Sequence, residues 1–338
     1  MAKVKRDNEH RVTRGILRAG NSTFDFLFIA LMITLLIIAG YMKMDIDSVY
    51  EDADPAKFIM YKPELPDDTE TFEDLQKLNP DVIGWITIYD TNIDYPLLYS
   101  AESNNMYLGH NAKGEPQSSG SIFIDYRNKP DFTDFNTIIH GHHMDQHKMF
   151  GDIEKFRDQK FFEKHEYGNL YYNKKNYGID LLVFLETDGY NGKIYAPAIE
   201  GEDAKLQYIN YCYKKATYIR GVEDVKSFVA NETRTSPITP DDHILVLSTC
   251  AMDKTNGRML LVAKLLDHHV ANPYPKSELK KKDYGTAEAF SLVERVGKFP
   301  IWEWILLLVI LILLTFILYI LSRKTSRRKG EKAHGKDK

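Results

Sequence analysis

The run Ile244-Leu245-Val246-Leu247-Ser248-Thr249-Cys250 and the later run Met259-Leu260-Leu261-Val262-Ala263 are the two stretches that decide the fold. Both are short and apolar, and the polar segment between them ends in Asn256-Gly257, a dipeptide typical of hairpin turns. Two strands joined in this way are antiparallel neighbours, so the residues that flank the loop lie close together. We therefore expect the thiol of Cys250 and the guanidinium of Arg258 to meet at one end of a β-sheet.

Cys250 and Arg258 together suit a nucleophilic site. A cation beside a thiol favours the reactive thiolate and can also hold a developing oxyanion. The alternative is a structural cysteine packed in a strand, because free cysteines are among the most buried residues in proteins. The other cysteine of the chain, Cys212, lies in an aromatic-rich stretch that predicts a helix, and a disulfide between the two is a further alternative.

A candidate base lies far upstream of the cysteine. The run Thr137-Ile138-Ile139 predicts a short strand that breaks at Gly141, and His140, His142 and His143 lie at its end. A cysteine and a distant histidine act together only if the fold brings them into contact, and their spacing in the sequence leaves this open.

The same segment offers a metal-binding alternative. A zinc-dependent hydrolase could use the cluster His140, His142, His143, Asp145 and His147, because imidazoles and a carboxylate are common zinc ligands. The nearest such pattern would need an insertion here, and no convincing ligand set follows downstream. We therefore expect no metal, and we expect His140, His143 and His147 to be loop and surface residues.

Short strands dominate the middle of the chain. Besides the two strands around the cysteine loop, strand patterns occupy residues 82–88, 93–98, 121–125, 137–139, 169–172 and 178–185. A short helix from residue 67 to Leu78 precedes them, and helical insertions are expected at about 150–166 and 203–230. This arrangement predicts a mainly β fold with helical insertions, a mixed or antiparallel barrel and not a doubly wound sheet.

Two apolar segments, residues 26–42 and 305–321, carry no charged residue and are each near the length that spans a bilayer. Lys and Arg residues precede the first segment and follow the second, and such basic flanks stay in the cytoplasm. The first segment has no small-x-small cleavage site at Ala39-Gly40-Tyr41, so an uncleaved anchor is favoured over a signal peptide. The net charge of −4 gives no basic field for nucleic acid, so we expect no nucleic-acid partner.

Several short motifs recur in a fixed order along residues 69–266. They are Leu78-Asn79-Pro80-Asp81-Val82-Ile83-Gly84-Trp85-Ile86, Ile93-Asp94-Tyr95-Pro96, Gly120-Ser121-Ile122-Phe123-Ile124-Asp125-Tyr126-Arg127-Asn128, Gly141-His142-His143-Met144, Met149-Phe150-Gly151, and Leu247-Ser248-Thr249-Cys250 with Arg258. In these motifs the chain resembles the sortases, membrane-anchored cysteine transpeptidases of Gram-positive bacteria, and class B most of all. The resemblance implies an eight-stranded β-barrel, flanked in this chain by two transmembrane helices.

The resemblance also implies roles for individual residues. Cys250 would be the nucleophile, His142 the general acid and base, and Arg258 the cation that binds substrate or stabilises the oxyanion. Thr249 and Ser248 would line the substrate site. The thiolate would attack a Thr carbonyl in a sorting motif, and an amine would then resolve the thioacyl-enzyme, with no cofactor.

The expected partners follow from the same resemblance. The substrates would be surface proteins or pilins that carry a C-terminal sorting signal, and the acceptor would be an amine of a peptidoglycan precursor or a pilin lysine. Class B members usually end before any second span, whereas pilus-building class C members often carry one. Wall anchoring and pilin polymerisation are therefore both open.

A non-catalytic, membrane-tethered β-domain that binds peptides is a further alternative, and it would leave Cys250 inert.

The expected organisation places the catalytic domain at the cell surface, in a two-pass membrane protein with both termini in the cytoplasm. The predicted parts are a basic tail (1–23), a transmembrane helix (24–42), an exposed extracellular linker (43–68), the sortase-like domain (69–266), a tether (267–300), a second transmembrane helix (301–321) and a second basic tail (322–338).

Overall fold

The computed structural model describes residues 2–63, 71–231, 233–251 and 253–274, together with residues 309, 310 and 313. The helices are α1 (Ala2–Asp52), α2 (Phe72–Leu78), α3 (Asn105–Leu108), α4 (Gln159–Lys164), α5 (Glu202–Lys215) and α6 (Val225–Ala230). The strands are β1 (Val82–Ile88), β2 (Asp94–Tyr99), β3 (Ile122–Ile124), β4 (Asn136–His140), β5 (His143–Met144), β6 (Lys148–Met149), β7 (Tyr167–Tyr172), β8 (Lys175–Asp188), β9 (Ala216–Ile219), β10 (His243–Cys250) and β11 (Gly257–Leu265). Short 3₁₀ helices occupy Pro55–Lys57, Ile59–Tyr61, Asp145–His147 and Gly151–Arg157.

Most of these strands close into a barrel. Within the described residues, nine strands form one sheet in the order β11-β10-β4-β3-β2-β1-β7-β8-β9, and a pairing of β11 with β8 closes eight of them. The pairs β2–β3 and β4–β10 are parallel, and the other neighbours are antiparallel. Strand β9 pairs with β8 beyond the stretch that β7 covers. The prediction of a mixed, eight-stranded β-barrel with helical insertions is confirmed.

Strand β10 is apolar throughout because both of its faces are covered. Leu245 and Leu247 pack in the cluster that fills the barrel. Ile244 and Val246, on the opposite face, pack in a second cluster that includes Cys212 of α5. Side chains alternate between the two faces of a strand, so a strand buried on both faces has a continuous apolar sequence. Helix α5 therefore covers the outside of the barrel next to the strand that carries Cys250.

The segment before the barrel differs from the prediction of an exposed linker over residues 43–68. Helix α1 continues to Asp52, and the compact unit that contains the barrel begins at Val49. Ala53, Phe58 and Tyr61 are buried in the barrel unit. The prolines and acidic residues suggested a linker, but the apolar residues between them pack against the core.

Helix α2 also begins later than predicted. Its N-cap is Thr71, whose hydroxyl accepts a hydrogen bond from the Asp74 backbone while the Asp74 carboxylate accepts one from the Thr71 backbone. Such a capping box stabilises a helix start by roughly 1 kcal/mol. Residues 67–70, where we expected the helix to start, lie outside the described part of the chain.

In the described part of the chain, a single helical stretch, Asp25–Asp52, is long and apolar enough to cross a membrane. It includes most of the first predicted span. The second predicted span lies outside the described residues except for Val309, Ile310 and Leu313, and so does the predicted tether after Tyr274. The two-pass topology remains a prediction.

Candidate active site

Cys250 and Arg258 are partners across the β10–β11 pair, as the hairpin pattern predicted. Both residues are partly exposed and line an open cleft of about 540 Å³ at this end of the barrel. The guanidinium of Arg258 packs on the backbone of Gly189, where an added methyl group would lie 3.2 Å from its central carbon. The thiol and the cation therefore share one solvent-accessible cleft.

The cation of Arg258 has no carboxylate partner among the described residues, and its Nη1 donates to the backbone oxygen of Gly257 at 3.0 Å. Asp253, the nearest acid in the loop sequence, instead bonds Arg157 at 2.8 Å. The charge of Arg258 is thus available to a ligand in the cleft.

His142 lines the same cleft, two residues after the end of β4. Its Nε2 lies 2.9 Å from the carbonyl oxygen of Leu108. A carbonyl can only accept, so Nε2 carries a proton, and in the neutral ring Nδ1 is then the nitrogen that can accept one. The ring lies close to Gly120, which has a φ of +60° and where an added methyl group would lie 3.0 Å from the His142 ring and 2.6 Å from the Tyr107 carbonyl oxygen. Glycine is therefore required there both by the backbone conformation and by the close approach.

A backbone hydrogen bond links the histidine segment to the cysteine strand. The amide of Gly141 donates to the carbonyl oxygen of Ser248 at 3.2 Å, and His140 is the register partner of Ser248 in the parallel β4–β10 pair. The structure thus brings Cys250, His142 and Arg258 to one cleft, although they are far apart in the sequence.

Ser248 and Thr249 are both buried and both line the cleft. The hydroxyl of Ser248 is hydrogen-bonded to the hydroxyl of Tyr195 at 2.7 Å. The Thr249 hydroxyl has no hydrogen-bond partner among the described residues. Ser248 therefore supports the wall of the cleft, and Thr249 has unused hydrogen-bonding capacity beside the nucleophile candidate.

Sequence reasoning did not assign a role to several residues of the cleft wall: Asn104, Leu108, Asp125, Arg127 and Tyr195. Asp125 and Arg127 belong to a motif that marked the resemblance, but nothing in the motif indicated a buried carboxylate at the site. Burial raises the pKa of Tyr195 to about 12, so its phenol is neutral at physiological pH. No sequence pattern pointed to Tyr195.

Three histidines of the zinc alternative contact three different carboxylates. His140 bonds Asp125, His143 bonds Glu154 and His147 pairs with Asp152, each at 3.0 Å. The described residues contain no group of three or more potential ligands that could hold a metal ion. These diverging contacts give the zinc alternative no support.

The prediction that three of these histidines lie on the surface is wrong for two of them. The side chains of His140 and His143 are only 22% and 6% exposed. His140 is paired with the buried carboxylate of Asp125, whereas the partner of His143, Glu154, is half exposed. His147, at 56%, is exposed as expected.

The disulfide alternative is wrong, because Cys212 and Cys250 are both free thiols. Cys212 is buried on the inner side of α5, and burial raises its pKa to about 12. A larger groove of about 940 Å³ lies between α4, β9 and α6, but no cysteine or histidine lines it. The candidate chemistry therefore lies in the smaller cleft around Cys250.

Comparison with known proteins agrees with this site and fold. Sortase B of Listeria monocytogenes is 36% identical over 203 residues, which cover 58% of this chain and 74% of that protein. Sortase B of Staphylococcus aureus is 31% identical over 258 residues, covering 70% of this chain and 94% of that protein. The X-ray structure of Clostridium perfringens sortase B aligns with a TM-score of 0.51 and 28% identity, covering 58% of this chain and 100% of that chain. No protein-family model matches the chain.

The eight-stranded barrel and the similarity to two sortase B proteins place the chain in a class of transpeptidases. The chain belongs to the sortase family.

Proposed function

We propose that the chain is a membrane-anchored cysteine transpeptidase that cleaves a C-terminal sorting motif of secreted proteins and joins them to an amine at the cell surface. In this proposal Cys250 is the nucleophile, His142 the general acid and base, and Arg258 the cation beside the reacting carbonyl. Ser248 and Thr249 form part of the substrate wall. The observation that carries the proposal is the cross-strand pairing of Cys250 with Arg258 in a cleft that His142 also lines.

The first half-reaction forms a thioester. The thiolate of Cys250 bonds the carbonyl carbon of a Thr in the sorting motif, and the following C–N bond breaks. His142 takes the proton of the Cys250 thiol and gives it to the leaving amine, which a histidine can do near neutral pH. Because Nε2 of His142 faces the Leu108 carbonyl, this proton moves at Nδ1.

The second half-reaction releases the product. An incoming amine bonds the acyl carbon, His142 takes a proton from that amine, and the C–S bond to Cys250 breaks. Arg258 stays protonated throughout, so its contribution is electrostatic and directional. The oxygen of the tetrahedral intermediate is the charge that it stabilises.

The proposed location is the outer face of the cell membrane. The apolar part of α1 supports an N-terminal anchor, and the basic flanks of the two apolar segments support a two-pass topology with both termini in the cytoplasm. The substrates are surface proteins or pilins with a C-terminal sorting signal, and the acceptor is an amine of a peptidoglycan precursor or a pilin lysine.

The test uses the full chain in detergent micelles. A pool of fluorogenic peptides is varied at each position around a central Thr, and hydroxylamine serves as the acceptor amine. We expect cleavage, a hydroxamate product and an acyl adduct on Cys250 in the intact mass, all of which Cys250→Ala abolishes. Cys212→Ala is the matched control, because this thiol is buried away from the cleft, and it should keep the activity.

Three outcomes would contradict the proposal. If Cys250→Ala still cleaved the peptides, Cys250 would not be the nucleophile. Activity that disappears in chelator and returns with zinc would support the hydrolase alternative. Peptides that bind without any cleavage or adduct would support a non-catalytic, membrane-tethered β-domain.

A further inference from the structure

The carboxylate of Asp125 is almost completely buried, with 1% of the side chain exposed, and it lies in the wall of the cleft. The guanidinium of Arg127 donates to it from Nε at 2.8 Å and from Nη2 at 2.9 Å, and the Arg127 backbone amide donates at 3.1 Å. The Nε2 atom of His140 and the Nδ2 atom of Asn104 each lie 3.0 Å from the same oxygen, Oδ2. Asp125 is therefore the centre of a small network that joins three separate parts of the chain.

A role in stability alone accounts poorly for this network. Burying an ion pair costs desolvation energy, and a well-packed apolar replacement is often neutral or stabilising. A buried carboxylate with several donors holds its neighbours in one geometry, so the informative question is which neighbours it holds.

Two neighbours of Asp125, His140 and Asn104, belong to the two segments that hold His142. His140 ends β4 two residues before His142, so its bond to Asp125 fixes the strand end that carries the catalytic candidate. Asn104 immediately precedes α3, and Leu108, the last residue of α3, provides the carbonyl that accepts from His142 Nε2. One carboxylate thus anchors both the backbone of His142 and the hydrogen-bond partner of its ring.

The network also reaches the cysteine strand. The ring of His140 stacks on Tyr195 with centroids 6.2 Å apart and an angle of 20° between the planes. The Tyr195 hydroxyl bonds Ser248, which lies two residues before Cys250. Any displacement of His140 would therefore be transmitted to both strands that supply the site.

We propose that Asp125 is a positioning residue that holds His142 in the Nε2–H tautomer by anchoring His140 and the α3 segment together. This inference rests on the proposed role of His142 as the acid and base. Asp125 does not touch the reacting atoms, so it acts only through His142.

The first experiment compares Asp125→Asn with Asp94→Asn in the full chain in micelles. Asp94 is a suitable control, because it is also buried and paired with a cation, Lys62 at 2.8 Å, but it does not line the cleft. It also accepts from Trp85 at 2.7 Å and Thr87 at 2.8 Å. An amide at position 125 presents a donor to the donors of Arg127 and His140. We expect kcat to fall by about 10²-fold with little change in KM, the size expected when a catalytic group is misplaced by about 1 Å. Asp94→Asn should keep the wild-type kcat.

The second readout needs no substrate. In full chain labelled with ¹⁵N in the histidine rings, the signal of His142 is assigned by its absence from His142→Gln. The wild type and Asp94→Asn should show the Nε2–H tautomer, and Asp125→Asn should show a mixture of tautomers. An unchanged tautomer or a wild-type kcat in Asp125→Asn would overturn the inference. Because the spectrum is independent of turnover, it tests the positioning role even if the proposed transpeptidase activity fails.

If Asp125→Asn does not fold, two variants of His140 make the same test. The His140 ring contacts the rings of Phe123, at 5.4 Å between centroids, and Tyr195. His140→Phe keeps a ring there but loses the donor to Asp125, whereas His140→Gln loses the ring and keeps a donor. The proposal expects His140→Gln to be the more active variant and to retain the His142 tautomer. A more active His140→Phe would show that stacking, and not the bond to Asp125, is what the site needs.

Discussion

The amine of Lys148 lies 3.2 Å from the carboxylate of Asp54, and the two side chains are only 11% and 13% exposed. Lys148 belongs to the β5–β6 hairpin, which begins directly after His142. Asp54 lies in the segment that follows helix α1, and the amine also bonds the carbonyl oxygen of Tyr50 in the last turn of that helix. The chain that leaves the N-terminal helix is thus fastened to the hairpin next to the candidate base.

Removing this amine should destabilise the barrel. Lys148→Met leaves the Asp54 carboxylate nearly buried and unpaired, and the loss of one partner of a buried pair typically costs about 3–5 kcal/mol. We expect a clear decrease in Tm of the full chain in micelles, measured by circular dichroism. Lys160→Met changes an exposed lysine and should leave the Tm unchanged. Equal Tm values for the two variants would contradict the prediction.

The hairpin and the barrel could be predicted because their signals are local. The apolar run up to Cys250, the Asn-Gly turn and the next apolar run specify a strand pair and its register, and the register alone makes Cys250 and Arg258 partners. Short strand patterns without crossover helices then limit the architecture to a barrel.

The remaining features depend on contacts between distant parts of the chain. Asp125 meets Asn104 and His140 only because β3 and β4 pair and α3 packs beside them. Nothing local distinguishes a buried carboxylate from an exposed one. The linker prediction failed for a related reason, since burial of Phe58 depends on a surface that the barrel provides.

The two cysteines should differ strongly in reactivity. The thiolate is the nucleophilic form of cysteine, and the pKa of Cys212 is raised to about 12 by burial, whereas Cys250 is partly exposed in the cleft. Iodoacetamide at pH 7.5 should therefore add one group to the native chain and two to the chain unfolded in urea, as measured by intact mass. Peptide mapping that finds the native adduct on Cys212 would contradict this prediction.

Arg258 should be irreplaceable by lysine. Loss of one donor to a developing oxyanion typically costs about 10²–10³ in rate, so Arg258→Ala should lose activity on this scale. Arg258→Lys should recover little, because an ammonium does not reproduce the planar fork of a guanidinium. Steady-state kinetics with a cleaved peptide would measure both variants, with Arg234→Lys as the control outside the cleft. Nearly full activity of Arg258→Lys would show that a point charge is sufficient.

The buried carboxylate of Asp125 should make stability depend on acid pH. Burial acts to raise its pKa, but hydrogen bonds from His140, Arg127 and Asn104 outweigh burial and hold the pKa well below its ordinary value. A carboxyl whose folded pKa is lowered stabilises the fold above its unfolded pKa of about 3.9, and this stabilisation is lost as the pH falls toward the folded pKa. Asp125→Asn cannot make this contribution.

The difference in free energy of unfolding between wild type and Asp125→Asn should therefore be constant from about pH 6 to pH 5 and should shrink below about pH 4. Urea unfolding of the full chain in micelles measures this difference, and the exposed Asp241→Asn should follow the wild type at each pH. A difference that stays constant down to about pH 3 would mean that the Asp125 carboxylate is not stabilised in its charged form.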